Sequence, residues 1–184
     1  MCFSVGSVFI VKVYMIPDFR STIWANLANT VQFANISAIL NGGLIMKRYM
    51  NSALLYAIFA MAGGVFYREF TKFNGFTAKT TLSVVHTHYF MLGMVFFLLL
   101  LLLEKNFSFT SAKTGRVLAI YHTGLNLTAV MLVVRGVAQV LIPTLSSGMN
   151  AAISGVAGIG HILLGVSMVL LLVEIRRSVL AEKI

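Results

Sequence analysis

Charge, cysteine and proline are all scarce in this 184-residue chain. Charged side chains make up 10% of it, against about a quarter in an average soluble domain, and hydrophobic residues make up 59%. The single cysteine, Cys2, excludes an internal disulfide framework and a metal cluster held by several thiolates. With only two prolines and no low-complexity tract, no long linker between domains is expected. This composition predicts an integral membrane protein.

The few charged residues are mostly basic, and the formal net charge is +9. They do not form a stripe that could bind nucleic acid; most of them flank apolar runs, as the positive-inside rule describes. We therefore expect the lipid bilayer as partner, no nucleic acid, and both termini on the cytoplasmic side of a bacterial inner membrane. The side predicted to be cytoplasmic carries Lys47, Arg48, Lys105, Lys113, Arg116, Arg176, Arg177 and Lys183, and the other side carries Arg68, Lys72 and Lys79.

Four apolar stretches reach the length of about 20 residues that a membrane-crossing helix needs. They cover residues 51–69, 80–103, 116–142 and 149–174, and Pro143 is expected to end the third. Short polar connections make successive helices antiparallel neighbours. The sequence thus predicts an all-α membrane protein, an antiparallel four-helix transmembrane bundle.

Residues 1–45 have a different character. Several asparagines interrupt their apolar patches, and neither a basic start nor a small-residue cleavage site marks a signal peptide. The codons for Asn41, Gly42 and Gly43 can contain a ribosome-binding sequence, and it would lie at the usual spacing before Met46. We expect residues 1–45 to be an N-terminal extension that comes from a misassigned start codon, and residues 46–184 to be the four-helix domain. An extra amphipathic helix is the alternative.

All four histidines of the chain lie inside predicted spans: His86, His88, His122 and His161. Ionisable side chains in a membrane are costly and usually face the interior of a bundle, where they serve a function. Neutral imidazole is also the commonest metal ligand in proteins. These residues predict a cofactor held by histidine, and haem b is the group we expect.

The depth of each histidine orders the candidate ligands. His161 falls near the middle of the fourth span, within about 10 Å in depth of both His88 and His122. We predict His161 as one axial ligand and leave His88 and His122 open as the other; the same three are the candidates for direct metal binding. One face of the fourth span carries Ser154, Gly158, His161, Gly165 and Met168. Its small residues offer clearance for a flat macrocycle, or alternatively for helix–helix packing.

Other polar residues in the spans could support such a group. His86 and His88 lie about 200° apart on a helix, so only one can point at a given centre, and the other would bond a water or a propionate. Asn126 shares a face with His122 and could hold its tautomer. Arg135 is expected near the depth of His86 as a propionate partner, with backbone carbonyls as its alternative.

Acidic and tyrosine side chains near the span ends are expected at the membrane interface. They are Glu69, Glu104 and Glu174, together with Tyr67, Tyr89 and Tyr121.

Long segments of the chain resemble a bacterial membrane-protein family known as domain-of-unknown-function family 2871. The segments are VFYREFTKFNGF, LSVVHTHYFMLGMVFFLLLLLLEK, YHTGLNLTAVMLVVRGVAQV and GIGHILLG, and the resemblance covers about residues 46–184. It implies the four-span fold and almost no chemistry. A short part of the second span also resembles, more weakly, the histidine-bearing helices of the haem–copper oxidase superfamily. This local resemblance covers only His86, His88 and Leu92-Gly93. The chain is much too short to be an oxidase catalytic subunit.

Three functions follow from these patterns. The first is a haem b protein that serves electron transfer, redox sensing or haem handling, with a redox partner or a second copy of itself. The second is a metal- or proton-coupled transporter with histidines at several depths. The third is a non-catalytic accessory subunit whose histidines bond across helices. No acid–base dyad or nucleophile arrangement predicts a stand-alone enzyme.

Overall fold

The computed structural model describes the backbone of residues 19–142 and 144–181, and side chains from residue 42 onward within those ranges. Residues 1–18, a large part of the predicted N-terminal extension, lie outside the described residues, and so does Pro143. The chain divides into two units, Met1–Leu44 and Ile45–Ile184. The second unit contains every side chain discussed below.

All regular structure in the described ranges is helical. The helices are α1 (Phe19–Phe73), α2 (Thr81–Phe107), α3 (Ala112–Leu141) and α4 (Ser147–Ala181). α2 starts with a 3-10 turn, Thr81–Val84, and contains a π-helical segment, Tyr89–Val95. Residues Gly42–Phe73 of α1 and the whole of the other three helices are long and apolar enough to cross a membrane. The predicted all-α four-span membrane fold is confirmed.

The helices extend beyond most of the predicted span limits. The fourth span was expected at residues 149–174, whereas α4 covers Ser147–Ala181. Hydropathy marks only the part of a helix that lies in hydrocarbon, and the backbone hydrogen bonds continue into the polar interface. The third helix ends at Leu141, two residues before Pro143.

Where two successive helices touch, the residue numbers of the contacting pairs rise along one helix while they fall along the other. The pairs are Gly63–Val85 and Tyr56–Gly93 between α1 and α2, Thr81–Leu132 and Leu92–Tyr121 between α2 and α3, and Gly124–Leu164 and Thr128–Gly160 between α3 and α4. Successive helices are therefore antiparallel. In addition, α1 contacts α3 through Tyr56 and His122, and α4 contacts α2 through His161 and His88. α1 and α4 thus each touch both central helices, α2 and α3.

Aromatic and aliphatic side chains fill the interior of this bundle. Its core contains Tyr49, Tyr56, Phe97, Leu100, Phe109, Tyr121, Leu125, Leu164, Leu171 and Ile175. In the most apolar stretch of each span, however, only 22–28% of the residues are buried within the chain. Large side chains such as Met61 (63% exposed) and Ile162 (66% exposed) point outward. A lipid bilayer covers such a surface at no hydrophobic cost, and the chain is a multi-pass membrane protein.

Glu104 is the exception to the predicted interfacial acids. Its side chain is only 7% exposed, and its Oε2 accepts hydrogen bonds from the Thr110 amide at 2.9 Å and the Thr110 hydroxyl at 2.7 Å. Tyr49 of α1 lies 2.6 Å from the same hydroxyl, to which it donates because the Thr110 proton is already used. Glu104 lies near the end of α2, but its side chain is buried within the chain instead of exposed, because the chain folds back over it to enter α3.

Candidate functional site

Two of the predicted ligands, His88 and His161, lie opposite each other between α2 and α4. Their ring centroids are 6.3 Å apart and the ring planes are nearly perpendicular, at 89°. His161 is exposed at the surface of the bundle, and His88 is half-buried. The structure therefore brings His161 together with His88, one of the two partners that depth had left open.

Hydrogen bonds to main-chain carbonyls fix both imidazoles in the same tautomer. His88 Nδ1 lies 2.8 Å from the carbonyl oxygen of Val84, and His161 Nδ1 lies 2.8 Å from that of Ala157. A carbonyl oxygen can only accept, so each Nδ1 carries the proton. The lone pair of each ring is then on Nε2, which is the tautomer and the supporting contact typical of a metal-binding histidine.

The face of α4 around His161 is open. A Cβ added at Gly158 or Gly165 would meet nothing within 4 Å. By contrast, Gly160, about 100° around the helix from His161, packs against Thr128, where an added Cβ would lie 2.8 Å from Oγ1 and 2.9 Å from the backbone nitrogen. Helix packing within the chain thus explains Gly160 and leaves the glycines beside His161 available to another group.

His122 belongs to a different cluster, on the α1 side of the bundle. Its Nδ1 lies 2.5 Å from the hydroxyl of Tyr56, and its ring stacks on Phe97 with centroids 4.7 Å apart. Asn126 donates from Nδ2 to the Tyr56 hydroxyl at 3.2 Å and to the His122 carbonyl at 2.8 Å. Tyr89 donates to the Asn126 Oδ1 at 3.2 Å. Asn126 therefore reaches the imidazole through Tyr56 rather than directly.

His86 faces α1 instead of α4. An added Cβ on Gly64 would lie 3.7 Å from the Cβ of His86. Its Nδ1 is buried and has no hydrogen-bond partner among the described residues. His86 and His88 thus face different helices, α1 and α4, as their spacing on α2 requires.

Arg135 binds polar groups of α4 near the end of the bundle at which α3 ends and α4 begins. Its guanidinium donates to the hydroxyl of Ser154 and, at 3.2 Å, to Oδ1 of Asn150. The neighbouring turn of α3 is level with the first residues of α2, because the Thr80 hydroxyl donates to the Gly136 carbonyl. Arg135 is thus closer to that end of the bundle than His86 is, by about 8 Å along α2. It also shares the α4 face of His161, two turns away at Ser154.

Tyr56 is the functional candidate that sequence analysis missed. It lies in an apolar span and has no ionisable residue next to it in the sequence, so the pattern of polar residues gave no signal for it. The buried residues Tyr49, Ala53, Tyr56 and Ala60 are spaced at three and four residues, which is the one available signal. Tyr89 and Tyr121 were expected at the interface, but they bond inside the bundle; Tyr121 donates to the Leu92 carbonyl in the π-helical segment at 2.7 Å.

Residues 46–178 match a family model described as a protein of unknown function, DUF2871. The chain belongs to this family. The match includes all four histidines, Arg135 and the Tyr56 cluster. Comparisons with curated proteins and with solved structures gave no match.

Proposed function

We propose that this member of family 2871 binds haem b between α2 and α4, where His88 and His161 would hold the iron, and that it serves electron transfer. The observation that carries the proposal is the matched pair of imidazoles with Nδ1 on carbonyls and Nε2 unprotonated. Such histidines supply lone pairs without a change of tautomer or rotamer.

The spacing of the rings fits two histidines that would hold one metal ion between them. With metal–nitrogen bonds of about 2.0–2.1 Å, two imidazole rings that hold a metal in this way would have their centroids about 6 Å apart. The observed centroid distance is 6.3 Å. Perpendicular ring planes are compatible with this arrangement, because each ring can rotate about its own metal–nitrogen bond.

Haem suits the pair better than a bare metal ion does. The described residues contain no group of three or more His, Cys, Asp or Glu side chains that could hold a metal ion. A porphyrin supplies four nitrogen ligands of its own, so two histidines complete the coordination. The open glycine face beside His161 gives space for the macrocycle. Arg135 of α3 is a suitable partner for a propionate, because its guanidinium lies at Ser154, two turns from His161 on the same face of α4.

The same proposal includes a place in the cell. Basic residues concentrate at the ends of the spans on the side of both termini, so the protein would lie in a bacterial cytoplasmic membrane with both termini inside. Electron transfer through a bis-histidine haem needs a redox partner, and a membrane or peripheral electron carrier is the class we expect.

Haem titration of the purified chain in mild detergent tests the proposal. We expect saturation at one haem per chain, with a sharp Soret band and, after dithionite, a resolved α band. His161→Ala should abolish these bands, whereas Thr123→Val, a substitution on another helix, should leave them unchanged. A folded wild-type chain that takes up no haem would refute the proposal.

A further inference from the structure

The Tyr56–His122 cluster forms a second site, whose chemistry differs from that of the His88–His161 pair. Its four polar side chains, Tyr56, Tyr89, His122 and Asn126, come from three helices. They lie beside a shallow, open cleft of about 470 Å³ on the surface of α3, which is lined by His122, Thr123, Asn126, Leu127 and Val130. Val130 is 52% exposed, so the cleft opens at the surface that faces the bilayer.

The hydrogen bonds of this cluster run in one direction. Tyr89 donates to Asn126, and Asn126 donates to the oxygen of Tyr56. The proton of Tyr56 therefore points to the nearest remaining acceptor, Nδ1 of His122, 2.5 Å away. With Nδ1 as acceptor, neutral His122 carries its proton on Nε2, the reverse of the tautomer of His88 and His161.

Nε2–H of His122 is thus a hydrogen-bond donor that the described residues leave unused. An unpaired donor in hydrocarbon is costly, and a chain of donors polarises its last member, which strengthens the bond that it can make. Stacking on Phe97 holds the ring in place. The cleft therefore presents one oriented N–H group to a lipid-soluble molecule that carries an acceptor.

We infer that this cleft binds the ring of an isoprenoid quinone, one carbonyl of which accepts from Nε2 of His122. His122 lies six residues inside the apolar span that starts at residue 116, about 9 Å along the helix, which is below the depth of phospholipid ester carbonyls. A quinone carries its acceptor on an apolar ring at that depth, and the apolar residues Leu127 and Val130 line the cleft beyond it.

Calorimetric titration of the full chain in detergent, with a benzoquinone that carries one isoprenoid unit, tests this inference. We expect saturable binding, at least tenfold weaker in His122→Phe and partly restored in His122→Gln, which keeps a donor. Thr123→Val is the matched control in the same cleft, because the Thr123 hydroxyl already donates to the Ala119 carbonyl. Val130→Trp changes an exposed residue and should block the cleft without disturbing the core.

An infrared spectrum of the same quinone, labelled with ¹³C at the carbonyls, reports the hydrogen bond itself. One carbonyl band should move to lower frequency on binding, and His122→Phe should remove that shift. Absence of saturable binding to folded wild-type protein would overturn the inference, and so would binding that Val130→Trp leaves intact. Equal affinity for the corresponding hydrocarbon without carbonyls would identify an acyl-chain groove instead. The inference does not depend on haem: His88→Ala and His161→Ala should bind the quinone normally.

Discussion

At the residue scale, Glu104 shows how one buried carboxyl group can fix a connection at the membrane surface. It accepts two hydrogen bonds from Thr110, and the Thr110 hydroxyl in turn accepts from Tyr49 of α1. The end of α2, the start of α3 and α1 are thereby joined. Removal of the carboxyl group would leave the Thr110 amide and hydroxyl without their acceptor in a buried place.

Glu104→Ala should lower the free energy of unfolding by about 1–3 kcal/mol, which is the cost of buried polar groups left unpaired. Glu69→Ala is the matched control, because its side chain is 42% exposed and its ion pair with Arg68 is at the surface. It should change stability by less than about 0.5 kcal/mol. Denaturant titration followed by circular dichroism measures both, and equal effects would contradict the role given to Glu104.

The contact partners of single side chains were the least predictable feature of the structure from the sequence. All four histidines could be placed inside spans, because that requires only position along an apolar run. Their partners depend on how each helix is rotated about its axis: His122 meets Tyr56 and His161 meets His88. The burial of Glu104 was not predicted, because an acidic residue near a span end is equally typical of an exposed site and of a capped connection.

At the element scale, glycines set the close approach of α3 and α4. An added Cβ at Gly124 would lie 2.6 Å from the Leu164 backbone nitrogen, and one at Gly160 would lie 2.9 Å from that of Thr128. Backbone atoms of a packed helix cannot move aside singly. The two glycines, one from each helix, therefore mark the crossing point, as small residues do in membrane bundles.

Gly124→Ala and Gly160→Ala should each destabilise the bundle by about 1–3 kcal/mol, because the two helices must separate. Gly155→Ala adds the same methyl group to α4 where nothing lies within 4 Å, so its stability should be unchanged or slightly higher. Thermal unfolding in one detergent compares the three variants. A Gly155→Ala protein as unstable as Gly160→Ala would contradict this account of the crossing.

The elements themselves were largely predictable from hydropathy, which is summed over about 20 residues and is therefore insensitive to single side chains. The local change of helix type in α2 was not predictable. Its π-helical segment contains Gly93, where an added Cβ would lie 2.5 Å from the Cβ of Tyr56, and Leu92, whose carbonyl accepts from Tyr121. Such a distortion depends on tertiary contacts that no window along the sequence contains.

At the scale of the whole molecule, the basic residues predict the orientation in the membrane. Four spans leave the C-terminus on the same side as the start of the first span, where the basic residues are concentrated. Alkaline phosphatase fused to the C-terminus should be inactive in a bacterial host, and a fluorescent protein fused there should fluoresce. Alkaline phosphatase inserted after Gly75, between α1 and α2, should be active. The opposite pattern would invert the proposed topology.

The bundle also separates its two proposed sites. His88 and His161 lie opposite each other between α2 and α4, whereas His122 bonds Tyr56 of α1 through Nδ1 and keeps its Nε2 proton for the proposed ligand at the surface of α3. Two tautomers in one small bundle allow a metal-binding centre and a hydrogen-bonding centre to coexist. Under this account, substitutions at one site leave ligand binding at the other unchanged.

The haem content of four single histidine variants tests the central claim most directly. Each full-length variant is purified from a haem-replete host, checked for folding by circular dichroism, and assayed for haem per chain. We predict that His88→Ala and His161→Ala lose haem, whereas His86→Ala and His122→Phe retain about as much as the wild type. Loss of haem in His122→Phe with retention in His88→Ala, or full retention in all four variants, would contradict the assignment of the His88–His161 pair.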